Sequence, residues 1–140
     1  MVNRVLCIDD DQVQLMLCQM ILKREQFSVH CDSCLNGQIA LDYLEERMSN
    51  PSELPNLILL DLNMPVMDGW EFLELYKGKM ASRLTDVKVV ILSSSIDPAD
   101  VQRSKEFSDL ILGFIPKPMN KKAIENMREM PFISQCFQVS

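Results

Sequence analysis

Histidine is nearly missing from this sequence: His30 stands alone among 140 residues. A single imidazole excludes the histidine clusters that zinc sites and Ser–His or Cys–His catalytic sets draw on. Long apolar runs are missing too. Nothing approaches the ~18 residues of a membrane span. Near the start only Val5 to Ile8 separate Arg4 from Asp9, Asp10 and Asp11, far short of the apolar core of a secretory signal. Positive charge is in deficit, with 14 Lys and Arg against 20 Asp and Glu and a net charge of −6. That sign is wrong for a phosphate backbone, so nucleic acid is not an expected partner. Five cysteines make an odd set, which with no export signal points to a reducing, cytoplasmic setting rather than a disulfide framework. Repeats and low-complexity segments are also absent. Apolar and charged fractions of 47% and 24% fit one globular domain rather than a disordered chain.

What is present is an alternation of two periods. Val5 to Ile8 and Leu57 to Leu60 are four-residue apolar runs, each stopping at an acid. They have the length of buried strands. Phe27 to Cys34, Val87 to Leu92 and Leu110 to Pro116 supply three more. Between them lie helical patterns. Val13, Met16, Leu17, Met20 and Ile21 form one expected inner stripe, and Ala40, Leu41, Leu44 and Met48 a second. Phe72, Leu73, Tyr76 and Met80 form a third behind the cap Asp68, with Glu71 three residues on. Asp97-Pro98 opens a fourth helix. Asn120 caps a fifth that carries Ala123, Ile124 and Met127. Asn50 to Pro55 is a proline-marked loop. Five β units alternating with five helices predict an α/β fold whose parallel sheet is covered on both faces, with right-handed crossovers. Ligands of such sheets sit beyond the carboxyl ends of the strands.

The residues that close the strands therefore matter most. Strand one ends in Asp9, Asp10 and Asp11, strand three in Asp61, strand four in Ser93 to Ser95 and strand five in Lys117. Singly, each is an ordinary helix cap, turn former or solvated lysine. Together they form a compatible set. Clustered carboxylates repel unless a cation intervenes, and Mg²⁺ prefers oxygen ligands. A carboxylate beside Mg²⁺ and an ammonium can attack phosphorus, with a hydroxyl to hold one phosphoryl oxygen. The residue types thus point to Mg²⁺-dependent phosphoryl transfer to an aspartate.

Four stretches carry a resemblance. They are Ile8 to Asp11, Leu60-Asp-Leu-Asn-Met-Pro-Val-Met-Asp-Gly69, Leu92 to Ser94, and Phe114-Ile-Pro-Lys-Pro118. They resemble the receiver domain of bacterial two-component response regulators, over about residues 3 to 129. The resemblance implies a flavodoxin-like, doubly wound, five-stranded parallel sheet in the order 2-1-3-4-5, in which strands one and three are neighbours. It implies that Asp61 is the phosphoacceptor. Asp10 binds Mg²⁺ directly, Asp9 mostly through water, and the backbone carbonyl of Asn63 is a further ligand. Ser93 matches the hydroxyl that closes on the phosphoryl group, and Lys117 the lysine that pairs with it, before an expected cis bond to Pro118. Phe114 stands where many members carry a switch tyrosine. Asn63 and Ser95 flank the path of the hydrolytic water. Asp11 has no fixed family role and reads as a helix-start acid.

The implied partners are a sensor histidine kinase or histidine phosphotransfer protein, and an output protein that reads the face of helix four, strand five and helix five. The receiver is expected over residues 1–130, with 131–140 as a tail. Residues 118–140 suffice for one helix and that tail, so a stand-alone receiver is expected. Two rivals remain. Asp9-Asp-Asp11-Gln-Val13 also satisfies the Asp-x-Asp-x-Val pattern of a small haloacid-dehalogenase-type phosphatase, with Asp9 as nucleophile. A phosphorylation-independent pseudo-receiver is the other, and the complete acidic set opposes it.

Other features read as structural. Cys31-Asp-Ser-Cys34 is a lone pair of thiols near the lone histidine, better explained by packing than by redox or zinc chemistry. The ten methionines are expected mostly in the core, and Trp70 half exposed near the site. The tail carries Phe132, Ile133, Phe137 and Val139 and is too apolar for simple disorder; it packs either on the domain or on a partner.

Overall fold

A computed structural model describes residues 1–94 and 96–137. In chain order the elements are β1 (Val2–Ile8), α1 (Gln12–Arg24), β2 (Ser28–Cys34), α2 (Gly37–Arg47), β3 (Leu57–Asp61), α3 (Gly69–Lys79), β4 (Lys88–Ser93), α4 (Pro98–Ser104), β5 (Ile111–Pro116), α5 (Lys121–Arg128) and α6 (Pro131–Ser134). The strands form one parallel sheet in the order β2-β1-β3-β4-β5. This is the expected flavodoxin-like order. Among the described residues the α-helix count is six rather than five, because the tail adds α6. Among the described residues no helix is long and apolar enough to cross a membrane.

Strand composition follows strand position. Central β3 is buried throughout as Leu57-Ile-Leu-Leu-Asp61. Edge strand β2 is fully buried only at Cys34 and tolerates Ser, His and Asp. Alternate residues of each central strand feed two apolar clusters, as period-two geometry requires. Leu6, Ile8, Ile58, Leu60, Val89 and Ile91 meet Phe72, Leu73 and Tyr76 of α3 and Leu41 and Leu44 of α2. Val5, Cys7, Leu57, Leu59, Val90 and Leu92 meet α1 and α5 on the other face. Each of the first five helices starts at a side-chain cap: Asp11, Asn36, Asp68, Asp97 and Asn120 all accept a backbone N–H from the first turn.

One helix face departs from expectation. α1 buries Leu15, Cys18, Ile21 and Leu22. Of the stripe read from sequence only Ile21 points inward, while Val13, Met16, Leu17 and Met20 are 42–62% exposed. The helix is apolar nearly all round, so two stripes fit a 3.6 period equally well. The direction in which the chain leaves β1 selects the stripe that meets the sheet. The methionines divide accordingly: Met64, Met80, Met119 and Met127 are buried, whereas Met16 and Met20 are not.

The tail docks on its own domain up to Phe137. Ile133 is buried. The Phe137 ring lies 5.5 Å from that of Phe27, and the α-amino group of Met1 donates to the Cys136 carbonyl at 2.9 Å. Arg128 bonds the Glu25 carbonyl and sits 5.0 Å above the Phe137 ring. Val139 lies outside the described residues. Cys31 and Cys34 point to opposite faces of β2, Cys34 into one apolar cluster and Cys31 against the other. Burial pushes the Cys34 thiol up to about 11, the behaviour of a packed cysteine.

Candidate functional site

The carboxyl edge of the sheet gathers the residues singled out from sequence. β1 and β3 are direct neighbours, so Asp9 and Asp61, one residue past β1 and the last of β3, must meet. Both are buried, with only 6% and 5% exposure, whereas Asp10 is exposed. One carboxylate oxygen from each of Asp9, Asp10 and Asp61 lies within 4.8 Å of the other two. Lys117 reaches in from the end of β5. Its Nζ donates to Asp9 Oδ2 at 2.7 Å and lies 3.5 Å from Asp61 Oδ1. The Lys117 backbone N–H also donates to the Ser93 carbonyl at 2.8 Å, and the Lys117–Pro118 bond is cis.

Local turns aim the carboxylates. The Asp11 N–H donates to Asp9 Oδ1 at 3.0 Å and the Asn63 N–H to Asp61 Oδ1 at 3.2 Å. Asp11 itself caps α1 through Val13 N–H, the role read from sequence. Burial, then the nearby Asp9 charge, hold the Asp61 carboxyl above its ordinary range, with Lys117 and the Asn63 N–H opposing them. Burial pulls the Lys117 ammonium down, but the hydrogen bond to Asp9 and the charges of Asp61 and Asp9 outweigh it, so its pKa is raised. Three acids facing one ammonium leave unpaired negative charge in a site of oxygen donors. That donor set fits a hard divalent cation.

The remaining candidates sit around this centre. Ser93 ends β4 and is 1% exposed. Phe114 lies on β5 opposite Ile91, half-buried against the α2–α3 cluster. Ser95 lies outside the described residues. Two features escaped the sequence reading. Gly69 donates to the Leu62 carbonyl at 2.9 Å, and a Cβ there would stand 2.8 Å from the Asp61 carbonyl oxygen and from Leu62 Cα. Only glycine allows this close approach, so the loop after the phosphoacceptor candidate is cinched shut. Its spacing after Asp61 was visible, but its steric reason was not. The second feature is Trp70, expected half exposed and found 6% exposed. Its indole N–H is paired with Asp100 at 3.2 Å, a partner thirty residues away that no local pattern announces.

A five-stranded 2-1-3-4-5 sheet with three acids and a lysine meeting at its carboxyl edge defines a flavodoxin-like α/β domain with an acidic, lysine-bearing site. The chain belongs to the response regulator receiver domain family, whose model matches residues 5–129. Among curated proteins it is 30% identical over 129 residues to the probable methanogenesis regulatory protein FilR2 of Methanothrix harundinacea. It is 32% identical over 124 residues to the two-component response regulator ARR10 of Arabidopsis thaliana. Each alignment covers 89% of this chain, but 81% of the first protein and only 20% of the second. The crystal structure of a two-component response regulator from Cytophaga hutchinsonii superposes with a TM-score of 0.80 at 32% identity, covering 89% of this chain and 92% of that one.

Proposed function

We propose that this chain is a phosphorylation-controlled binding module in a two-component relay, with Asp61 as the phosphoacceptor. The convergence of buried Asp61 with Asp9, Asp10 and Lys117 carries the reading. An Asp61 carboxylate oxygen attacks the phosphorus of a phosphohistidine on a kinase or phosphotransfer protein. The O–P bond forms as the N–P bond breaks, and the histidine nitrogen leaves with the electron pair and takes up a proton. Asp9, Asp10, Asp61 and the Asn63 carbonyl would hold Mg²⁺, which supplies charge neutralisation on the phosphoryl oxygens. Lys117, already between Asp9 and Asp61, exchanges a carboxylate for a phosphoryl oxygen. Ser93 donates its hydroxyl to another, and Phe114 turns into the space this opens. Asn63, and by the family resemblance Ser95, set the lifetime of the phosphoryl group.

Two exposed surfaces support the partners of this reading. α1 begins beside the acids and presents Val13, Met16, Leu17 and Met20 to solvent, a surface on which a phosphodonor protein can rest while its histidine reaches Asp61. Near and on α4, Ile96 and Val101 are exposed by about two-fifths, apolar footing for an output partner on the face of α4, β5 and α5. The phosphatase reading is weaker, because the receiver family model spans residues 5–129 and so takes in both Asp9 and Asp61.

Intact-protein mass spectrometry after acetyl phosphate and Mg²⁺ treatment tests the assignment. The wild type should gain one phosphoryl group, and chelation of the metal should prevent it. Asp61→Asn should gain none. Labelling that survives in Asp61→Asn and vanishes in Asp9→Asn would favour the phosphatase instead.

A further inference from the structure

α4 is the least anchored helix beside the site. Among its seven residues none is buried, so no apolar side chain fixes it to the sheet. Among the described residues, two of its side chains reach the same residue of α3. Asp100 of α4 accepts the Trp70 indole N–H at 3.2 Å. The Arg103 guanidinium lies 5.0 Å from the Trp70 ring centroid. Phe107, just beyond α4, stacks on Trp70 with centroids 5.9 Å apart and planes 29° apart. Phe107 is held in turn by Lys77, whose Nζ lies 5.2 Å from its ring and donates to the Glu106 carbonyl at 3.0 Å.

The other end of the connection is the phosphoacceptor loop. Trp70 directly follows Gly69, which is pressed against the Asp61 carbonyl and bonded to Leu62. A movement of the Asp61 loop therefore reaches Trp70 through one peptide unit. An open cleft of about 380 Å³ is lined by Asn63, Met64, Trp70 and Asp100, which leaves unfilled space beside the start of α4. A buried indole N–H is costly to leave unpaired, so the Trp70–Asp100 bond opposes a displacement of α4.

We propose that Trp70 is a positioning residue that latches α4 to the phosphoacceptor loop through Asp100, and that opening the latch favours the α4 position accompanying a phosphoryl group on Asp61. The second half rests on the receiver reading above. Linkage makes the coupling reciprocal: if Asp61 occupancy displaces α4, releasing α4 must tighten occupancy of Asp61. For a bond of 3.2 Å that is only partly buried, the range of an ordinary single hydrogen bond applies, roughly two- to tenfold.

Two readouts test the halves separately. In the ligand-free protein, hydrogen exchange at α4 amides should quicken in Asp100→Ala and in Trp70→Phe, which keeps the stacking on Phe107 but lacks the N–H. Asp100→Asn, which retains a carbonyl acceptor, should exchange like wild type. With Mg²⁺ and beryllofluoride as the phosphoryl mimic, calorimetry should show wild type binding and Asp61→Asn not. Asp100→Ala and Trp70→Phe should each bind about two- to tenfold tighter, with the double variant no tighter than either single one. Unchanged α4 exchange in both single variants overturns the latch. Quickened exchange with unchanged or independently additive beryllofluoride affinities overturns its coupling to Asp61. A wild type that binds no beryllofluoride overturns the receiver reading, and the coupling with it, while α4 exchange still judges the latch.

Discussion

α1 and α4 flank the same site and are held in opposite ways. α1 sets Leu15, Cys18, Ile21 and Leu22 into the core and leaves an apolar stripe outside. α4 sets no residue into the core and hangs from Trp70. One wall of the site is thus continuous with the folded body, and the other is a cover attached by polar and aromatic contacts. A fixed wall suits a docking partner that must deliver a group to one atom. A loosely tied wall suits a readout, because elements that move are drawn from the weakly buried end of the stability range.

Core truncation breaks the comparison most sharply. Leu22→Ala in α1, at 0% exposure, should cost about 3 kcal/mol of folding stability. Val101→Ala in α4, at 41% exposure, should stay within ~0.5 kcal/mol. Urea denaturation of the two variants checks both values, and equal losses would refute the contrast.

The charged floor between the walls ranks next. Lys117→Ala should destabilise by about 2 kcal/mol at pH 7, because Asp9 and Asp61 are left facing each other without an ammonium. Since the Lys117 pKa is raised, its contribution holds below the ordinary lysine value of ~10.4 and is lost as pH climbs through the raised one. Mg²⁺ affinity, measured by calorimetry, should be unchanged or higher in this variant because a competing charge is gone.

Asp61→Asn should do the reverse. The Asp61 carboxyl is held high by burial and by Asp9, so its contribution favours folding below the ordinary ~3.9 and is lost as pH rises through the raised value. The variant should be more stable than wild type at pH 7, on the order of 1 kcal/mol, and the advantage should fade toward pH 3. A less stable variant at pH 7 would contradict the charge assignment. The smallest expected effect lies at the far end of α1. Gln26 has φ 52° and is exposed, a backbone region that favours glycine. Gln26→Gly should therefore raise the thermal midpoint slightly, by the equivalent of about 0.5 kcal/mol.

Strand positions and the polar residues that close them were legible from local rules, whereas the 2-1-3-4-5 order and the roles within the site came from the family resemblance. Apolar runs such as Leu57 to Leu60 end where Asp61 begins, and a parallel α/β order brings those ends to one edge. Helix starts were legible for the same reason, since Asp68, Asp97 and Asn120 bond their own first turns. The misread features depend on distant partners. α1 offered two apolar stripes, and only the packing of its preceding strand chose between them. Trp70 was placed half outside because Asp100 and Phe107, its partners, come from another helix and its following turn. The tail's docking needed Phe27 and Glu25, a hundred residues earlier.

Asp61, and not its neighbour Asp9, is the residue proposed to receive the phosphoryl group. Borohydride reduces an aspartyl phosphate to homoserine, which tandem mass spectrometry of the digested protein locates after treatment with acetyl phosphate and Mg²⁺. The reduced residue should lie at position 61, in the peptide that also carries Asn63, with none at position 9. Homoserine at position 9, with Asp61 intact, would contradict it.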